Sequence, residues 1–286
     1  MTQIIDGKAI SKKILYEIQL EIDKIVEKHE YKPGLAVVLL GEDPASQIYV
    51  KKKVETCEKI GFYSEAYFLS SETTQKELLL LIDELNSEPS IHGILVQLPL
   101  PKHLNEKEII SAISVEKDVD VFNPINQAKL LLSDKNCLKP CTPAGIMELL
   151  KRYEIPIEGQ HVVIVGRSNI VGKPLSLMML AENATVTICH SKTKNLGEIT
   201  KQADILIAAV GKEHIIKADM VKENAVIIDV GTNRNSEGKL TGDVDYKGVF
   251  EKVSYITPVP GGVGPMTIAM LMKNTLSSFK KIRKIE

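Results

Sequence analysis

The sequence predicts an α/β protein of two domains. Apolar, strand-like runs alternate with amphipathic, helix-like segments along the whole chain, the pattern of parallel sheets with helices on both faces. The length of 286 residues is long for one core and comfortable for two. The alternation begins afresh at Gly159, where a strand runs straight into a glycine-rich turn and a helix.

The elements follow in order. Residues 8–29 carry Ile10, Ile14, Ile18, Ile22 and Ile25 on one stripe, a long amphipathic helix stopped by Pro33-Gly34. Leu35 to Leu40 is a continuous apolar run, as in a strand covered on both faces. Asp43 suits an N-cap and Pro44 the first helical position, with no breaker before Gly61, so a second helix follows. Residues 63–69 read as a strand, 73–86 as a helix, 91–97 as a strand and 105–114 as a helix. Residues 115–139 hold no strong period and read as a linker or cleft loop. Thr142-Pro143 is expected to cap a helix running to about Tyr153. Strands are expected at 161–165, 185–190, 204–209 and 225–230. A final helix is expected to start at Pro265 or Thr267 and run to the C-terminus.

The second helix poses a question of charge. At 100° per residue, Ser46, Tyr49, Val50, Lys53, Cys57 and Ile60 share one face, and Lys51, Lys52, Glu55, Glu58 and Lys59 lie opposite. Lys53 is the one charge on the inward face. Burying an unpaired ammonium is costly, so it must be paired, neutral or facing a cleft. A partly desolvated lysine is a candidate proton-transfer group, whereas a snorkelling lysine would only reach water. Gln97 stands at a strand end followed by Leu98-Pro99-Leu100-Pro101, where parallel sheets bind ligands. It reads either as a holder of the Lys53 head or as a polar strand end meeting water. Asp118 and Asp120 alternate in an extended chain, so both cannot face one ligand.

The turn Gly166-Arg167-Ser168-Asn169-Ile170-Val171-Gly172 joins a buried strand to a helix, where backbone N–H groups can approach a phosphate. Its spacing departs from G-x-G-x-x-G, but its place in the alternation is right. The next strand ends in Ser191-Lys192-Thr193, with no acid to bind a ribose 2′-hydroxyl. With Arg167 across the turn, these groups suit a 2′-phosphate, so the second domain reads as Rossmann-like and NADP-binding. A plain polar turn is the other reading. Gly211, Gly231-Thr232 and Gly261-Gly262 stand at further strand ends or turns.

Composition excludes several classes. The net charge of −1 gives no reason to expect nucleic acid or an anionic membrane surface as partner. Asp6 and Lys8 stand where a signal peptide would need an apolar core, and no run is long enough for a membrane span. Cys57, Cys137, Cys141 and Cys189 form no Cys-x-x-Cys pair and read as reduced thiols of a cytoplasmic protein. His and Cys are too scattered to suggest a metal.

Eight motifs then fall into one order. They are the Ser46–Lys53 stretch, GILVQLPLP at 93–101, KDVD at 117–120, PCTPAG at 140–145, GRSNIVGKP at 166–174, CHSKT at 189–193, DVGTNR at 229–234 and PVPGGVGPMT at 258–267. In these the chain resembles the bifunctional methylenetetrahydrofolate dehydrogenase/methenyltetrahydrofolate cyclohydrolase family. The resemblance implies two α/β domains around a cleft. The first would be a folate-binding domain of residues 1–138 completed by a C-terminal helix at 265–286, and the second, 139–264, would bind NADP. It implies a folate site of Ser46, Tyr49, Lys53, Val96, Gln97, Leu98 and Asp120, with the loop Pro260, Gly261, Gly262, Val263 and Gly264 over it. Lys53, Tyr49, Gln97 and Asp120 would be catalytic. Gly166, Arg167, Ser168, Ser191 and Thr232 match the NADP positions. A homodimer acting on tetrahydrofolate derivatives is implied too. After KDVD the usual family run is Gly-Phe-His-Pro, whereas Val121-Phe122-Asn123-Pro124 stands here. A dehydrogenase lacking the hydrolytic step, and a regulatory nucleotide-binding module, are the competing expectations. The latter would have lost Lys53 or Gln97, and both are present.

Overall fold

A computed structural model describes residues 1–134 and 136–285, with the backbone alone at Ala45. In chain order it holds β1 (Gln3–Ile4), α1 (Gly7–His29), β2 (Gly34–Leu40), α2 (Pro44–Lys59), β3 (Tyr63–Leu69), α3 (Gln75–Ser87), β4 (Gly93–Val96), α4 (Glu106–Ala112), α5 (Pro124–Leu131) and α6 (Cys141–Arg152). Next come β5 (His161–Val165), α7 (Gly172–Ala181), β6 (Thr185–Cys189), α8 (Leu196–Thr200), β7 (Ile205–Ala208), β8 (Val226–Asp229), β9 (Asn233–Arg234), β10 (Leu240–Thr241), α9 (Tyr246–Val249), β11 (Tyr255–Ile256) and α10 (Val263–Arg283).

The chain forms two compact units, one of Met1–Lys12 with Thr142–Thr267 and one of Lys13–Cys141 with the chain from Ile268 on. The second is built on a parallel three-stranded sheet in the order β3-β2-β4. All seven residues of β2 are buried, as a central strand covered on both faces requires. Leu78, Ile82 and Leu85 of α3 pack with Ala36, Val38 and Leu40 below it. The other unit holds a six-stranded sheet, β1-β11-β8-β7-β5-β6, parallel throughout.

Four sequence expectations are corrected. The sequence places the first domain from residue 1, but Met1–Lys12 belongs to the other unit, because β1 pairs with β11 at that sheet's edge. The segment 115–139 is not all loop. Asn123 caps α5 by accepting from the Ile125 N–H at 2.9 Å, with Pro124 in its first turn. Helix α6 starts at Cys141, ahead of the cap expected at Thr142, and α10 starts at Val263, ahead of Pro265. The other expected helices and strands lie within a few residues of their places. Among the described residues, no helix is long and apolar enough to cross a membrane.

Candidate active site

Helix α2 presents Lys53 as its sequence periodicity requires. Asp43 caps it, accepting from the Ser46 N–H at 2.7 Å, and Pro44 occupies the first turn. Ser46, Val50, Lys53, Cys57 and Ile60 are buried, Tyr49 is half-buried, and Lys51, Lys52, Glu55, Glu58 and Lys59 are exposed. Lys53 is only 7% exposed, so it does not snorkel.

Gln97 follows β4 directly. Its N–H donates to the Val38 carbonyl at 2.8 Å, extending the pairing with β2 by one bond. Its Nε2 donates to the Leu98 carbonyl at 2.8 Å, which turns Oε1 toward the lysine. Lys53 Nζ donates to that oxygen at 2.8 Å. A neutral acceptor satisfies one ammonium proton without adding a charge. Val96 is buried in the core with Leu40 and Ile94, so a part for it in binding would run through its backbone.

Burial lowers the pKa of Lys53, and the negative charge of Asp120 opposes that shift. Asp120 shows the converse. Burial raises its pKa, while Lys53 and the Cys141 thiol lower it. Burial pushes the Cys141 thiol well above its usual value, with Asp120 adding to the effect. The thiol therefore stays protonated, and its Sγ–H donates to the Val119 carbonyl at 3.4 Å, one residue before Asp120. The sequence alone does not mark Cys141 as a site residue. Its only signal was its place in PCTPAG.

Asp118 faces away from this group. Its carboxylate accepts from the Phe122 N–H at 3.0 Å, the Asn123 N–H at 2.9 Å and Asn126 Nδ2 at 2.8 Å. The alternation expected for the two aspartates holds, and Asp118 serves the start of α5.

Pro260, Gly261, Gly262, Val263 and Gly264 belong to the other unit. There the Lys8 N–H donates to the Gly261 carbonyl at 2.9 Å. A Cβ on Gly7 would lie 1.9 Å from the Gly262 carbonyl oxygen, so the backbones touch.

The turn between β5 and α7 fits the phosphates of a dinucleotide. Gly166 takes φ 139°, and a Cβ there would come within 2.3 Å of the Ala209 carbonyl oxygen. A Cβ on Gly172 would come within 2.2 Å of the Gly166 carbonyl oxygen. These two glycines draw the turn tight at the N-terminus of α7. Ser168 Oγ accepts from the N–H groups of Val171 at 3.1 Å and Gly172 at 3.4 Å, so it also braces the turn. Arg167, Ser191, Lys192 and Thr232 are exposed. Arg167 and Lys192 bring positive charge to this set, and Ser191 and Thr232 bring hydroxyl donors, the chemistry that a phosphate takes. Among the described residues, no group of three His, Cys, Asp or Glu could hold a metal ion.

Residues 5–120 match the model of the tetrahydrofolate dehydrogenase/cyclohydrolase catalytic domain, and residues 140–283 match that of the same family's NAD(P)-binding domain. The chain belongs to the tetrahydrofolate dehydrogenase/cyclohydrolase family. It is 56% identical to the bifunctional protein FolD of Moorella thermoacetica, over 98% of this chain and 99% of that one. The crystal structure of the bifunctional FolD enzyme of Campylobacter jejuni superposes with a TM-score of 0.96 at 50% identity, over 99% and 100% of the two chains. The FolD of Trypanosoma brucei, solved with NADP cofactor and an inhibitor, does so with a TM-score of 0.96 at 36% identity, over 99% of each chain.

One departure from the family run has a structural consequence. Val121, where the family commonly has glycine, takes φ 63° with its side chain fully buried. A β-branched residue is strained in the left-handed region. Gln127 Nε2 donates to the Val121 carbonyl at 3.0 Å, and the Asp118 carboxylate holds the next two N–H groups. This turn follows Asp120 and brings the Phe122 and Asn123 N–H groups back onto Asp118.

Proposed function

We propose that this protein oxidises 5,10-methylenetetrahydrofolate to 5,10-methenyltetrahydrofolate with NADP and then hydrolyses the product to 10-formyltetrahydrofolate. The observation that carries the hydrolytic half is the buried Lys53–Gln97 hydrogen bond at 2.8 Å, with Asp120 electrostatically coupled to the same ammonium. NADP supplies the hydride acceptor when bound. For the oxidation the chain has only to hold two flat molecules in line and exclude water, because no proton moves with the hydride. For the hydrolysis water adds to the methenyl carbon and gives up a proton, and the bond from that carbon to N5 then breaks as N5 takes up a proton and the new hydroxyl loses its own, leaving the formyl group on N10. Lys53, lowered toward neutrality by burial, is the group to take and return that proton.

Gln97 keeps the lysine aimed, and Tyr49 borders it one turn earlier on α2. Asp120 accepts from the adjacent N–H and amino donors of the pterin. Ser46, Val96, Leu98 and the Pro260–Gly264 loop are assigned further contacts with the substrate. Gly166, Arg167, Ser168, Ser191 and Thr232 are assigned to NADP. The same reading makes the protein a cytoplasmic homodimer formed through the cofactor domain. Light scattering at micromolar concentration should return twice the chain mass, and a monomer mass would count against that assembly.

The direct test is a spectrophotometric assay of the purified protein with methylenetetrahydrofolate and NADP. NADPH should form and methenyltetrahydrofolate should pass on to 10-formyltetrahydrofolate. Accumulation of the methenyl compound without hydrolysis would leave a dehydrogenase alone. No turnover at all would leave a nucleotide-binding module.

A further inference from the structure

The unit with the six-stranded sheet contains two buried carboxylates that the chemistry above does not use. Asp229 ends β8 and is 4% exposed, and Asp243 follows β10 and is fully buried. Asp243 Oδ2 accepts from the N–H groups of Val210 at 2.7 Å and Gly211 at 3.0 Å. Its Oδ1 accepts from the Lys212 N–H at 2.8 Å and from Asn233 Nδ2 at 3.0 Å. Three consecutive backbone N–H groups of the loop after β7 thus converge on one carboxylate, which also grips the segment after β8.

Asp229 fixes the fixer. Its Oδ1 accepts from the N–H groups of Gly231 and Asp243, both at 2.9 Å, and its Oδ2 from that of Val244 at 3.0 Å. The packing leaves no slack. A Cβ on Gly242 would fall 1.8 Å from Asp229 Oδ2, and one on Gly231 would fall 2.3 Å from Asp243 Oδ1.

Both braced loops leave the carboxyl ends of parallel strands, where an open α/β sheet binds its ligand. Thr232 lies between Gly231 and Asn233, each held by one of the acids. Two carboxylates buried side by side are costly to desolvate, and a hydroxyl or amide would close an ordinary loop for less. What an ionised carboxylate adds is acceptor capacity on both oxygens, enough to lock several N–H groups at once.

We propose that Asp243, backed by Asp229, is a positioning residue for the nicotinamide cofactor: it locks the loops after β7 and β8 in the shape that receives NADP. This rests on the NADP reading above. It adds residues that do not themselves touch the cofactor. Asparagine is the same size, but it offers one acceptor oxygen and turns an NH₂ group toward backbone N–H groups. Asp243→Asn should therefore loosen the loop after β7 and weaken NADPH binding.

The test is a fluorescence titration of NADPH, with hydrolysis of methenyltetrahydrofolate, which consumes no nicotinamide, as the control for an intact fold. The Kd of Asp243→Asn should rise by about tenfold or more, the scale of a lost hydrogen bond to a charged group. Its hydrolytic kcat/KM should stay at the wild-type value. Should that variant not fold, Asn233→Ala removes only the tie to the segment after β8, and its Kd should rise by roughly threefold to fivefold, the scale of one net hydrogen bond. A lowered Tm with an unchanged Kd in these variants would make the pair merely structural and overturn the proposal. Wild-type protein that binds no NADPH would overturn the cofactor reading, and this proposal with it.

Discussion

Lys53 is held by opposing forces. Burial favours its neutral form, while Asp120 favours the charged one. A group so balanced gives up and regains a proton more readily than a solvated lysine. Lys53→Met keeps the stem and deletes the ammonium. Hydrolysis should fall about 10²-fold or more, the usual scale for a lost acid–base group, and oxidation should fall less. Following methenyltetrahydrofolate absorbance beside NADPH formation separates the two, and a proportional loss of both would make Lys53 a positioning residue only. Asp120→Asn removes the charge that holds the lysine pKa up. The pH profile of hydrolysis should shift toward lower pH, because the neutral amine then appears earlier. Folate affinity should weaken by about 1.5–3 kcal/mol, the worth of a hydrogen bond to a charged group. An unchanged profile and unchanged folate KM would remove Asp120 from the site.

At the scale of elements, cofactor choice lies in the β5–α7 turn and the end of β6. Where an NAD-binding fold places an acid, this chain exposes Ser191 and Lys192. Replacing Arg167 and Ser191 with alanine should raise the KM for NADP far more than that for NAD. Equal use of the two cofactors by the unaltered protein would sink the assignment. The turn was readable from the sequence because a glycine between a buried strand and a helix carries a local, steric meaning. Helix α5 was not. Its eight residues are too few to show a period, and its start is fixed by the Asn123 cap and by the buried Asp118 carboxylate, which accepts from the Asn123 N–H and Asn126 Nδ2. The Asn123-Pro124 pair was the one local signal, an N-cap followed by the first helical position.

At the scale of the molecule, the last helix closes the unit that holds Lys53, and His92 lies beneath it. Ser278 Oγ donates to the His92 carbonyl at 2.6 Å, and the Phe279 ring meets the imidazole edge-on at 4.7 Å. Burial, with Arg283 and Lys117 nearby, pushes His92 down to about 4. The folded protein therefore resists a proton that the unfolded chain accepts near 6.5. Stability is complete above that pH and falls as pH drops toward about 4, by roughly 3 kcal/mol at most for this residue. Asp229, raised to about 6 by burial, acts the other way, since the folded protein holds its proton longer than the unfolded chain does. Comparing wild type with His92→Gln separates the two. Urea unfolding at pH 7 and pH 4.5 should show a smaller acid loss in the variant, and an equal loss in both would exclude His92 as the source.

The sequence by itself determined the alternating strands and helices, the inward face of α2, the strand end at Gln97 and the glycine turn. Each follows from periodicity, capping or steric freedom within a few residues. Only the tertiary structure decided that Lys53 is buried against Gln97, 44 positions away, and that Cys141 joins Asp120 beside it. It alone moved the first twelve residues to the other unit and revealed the Asp229–Asp243 brace. The physical reason is that burial, and the protonation it controls, depend on which distant segments exclude water from a group. No local pattern of residues carries that information.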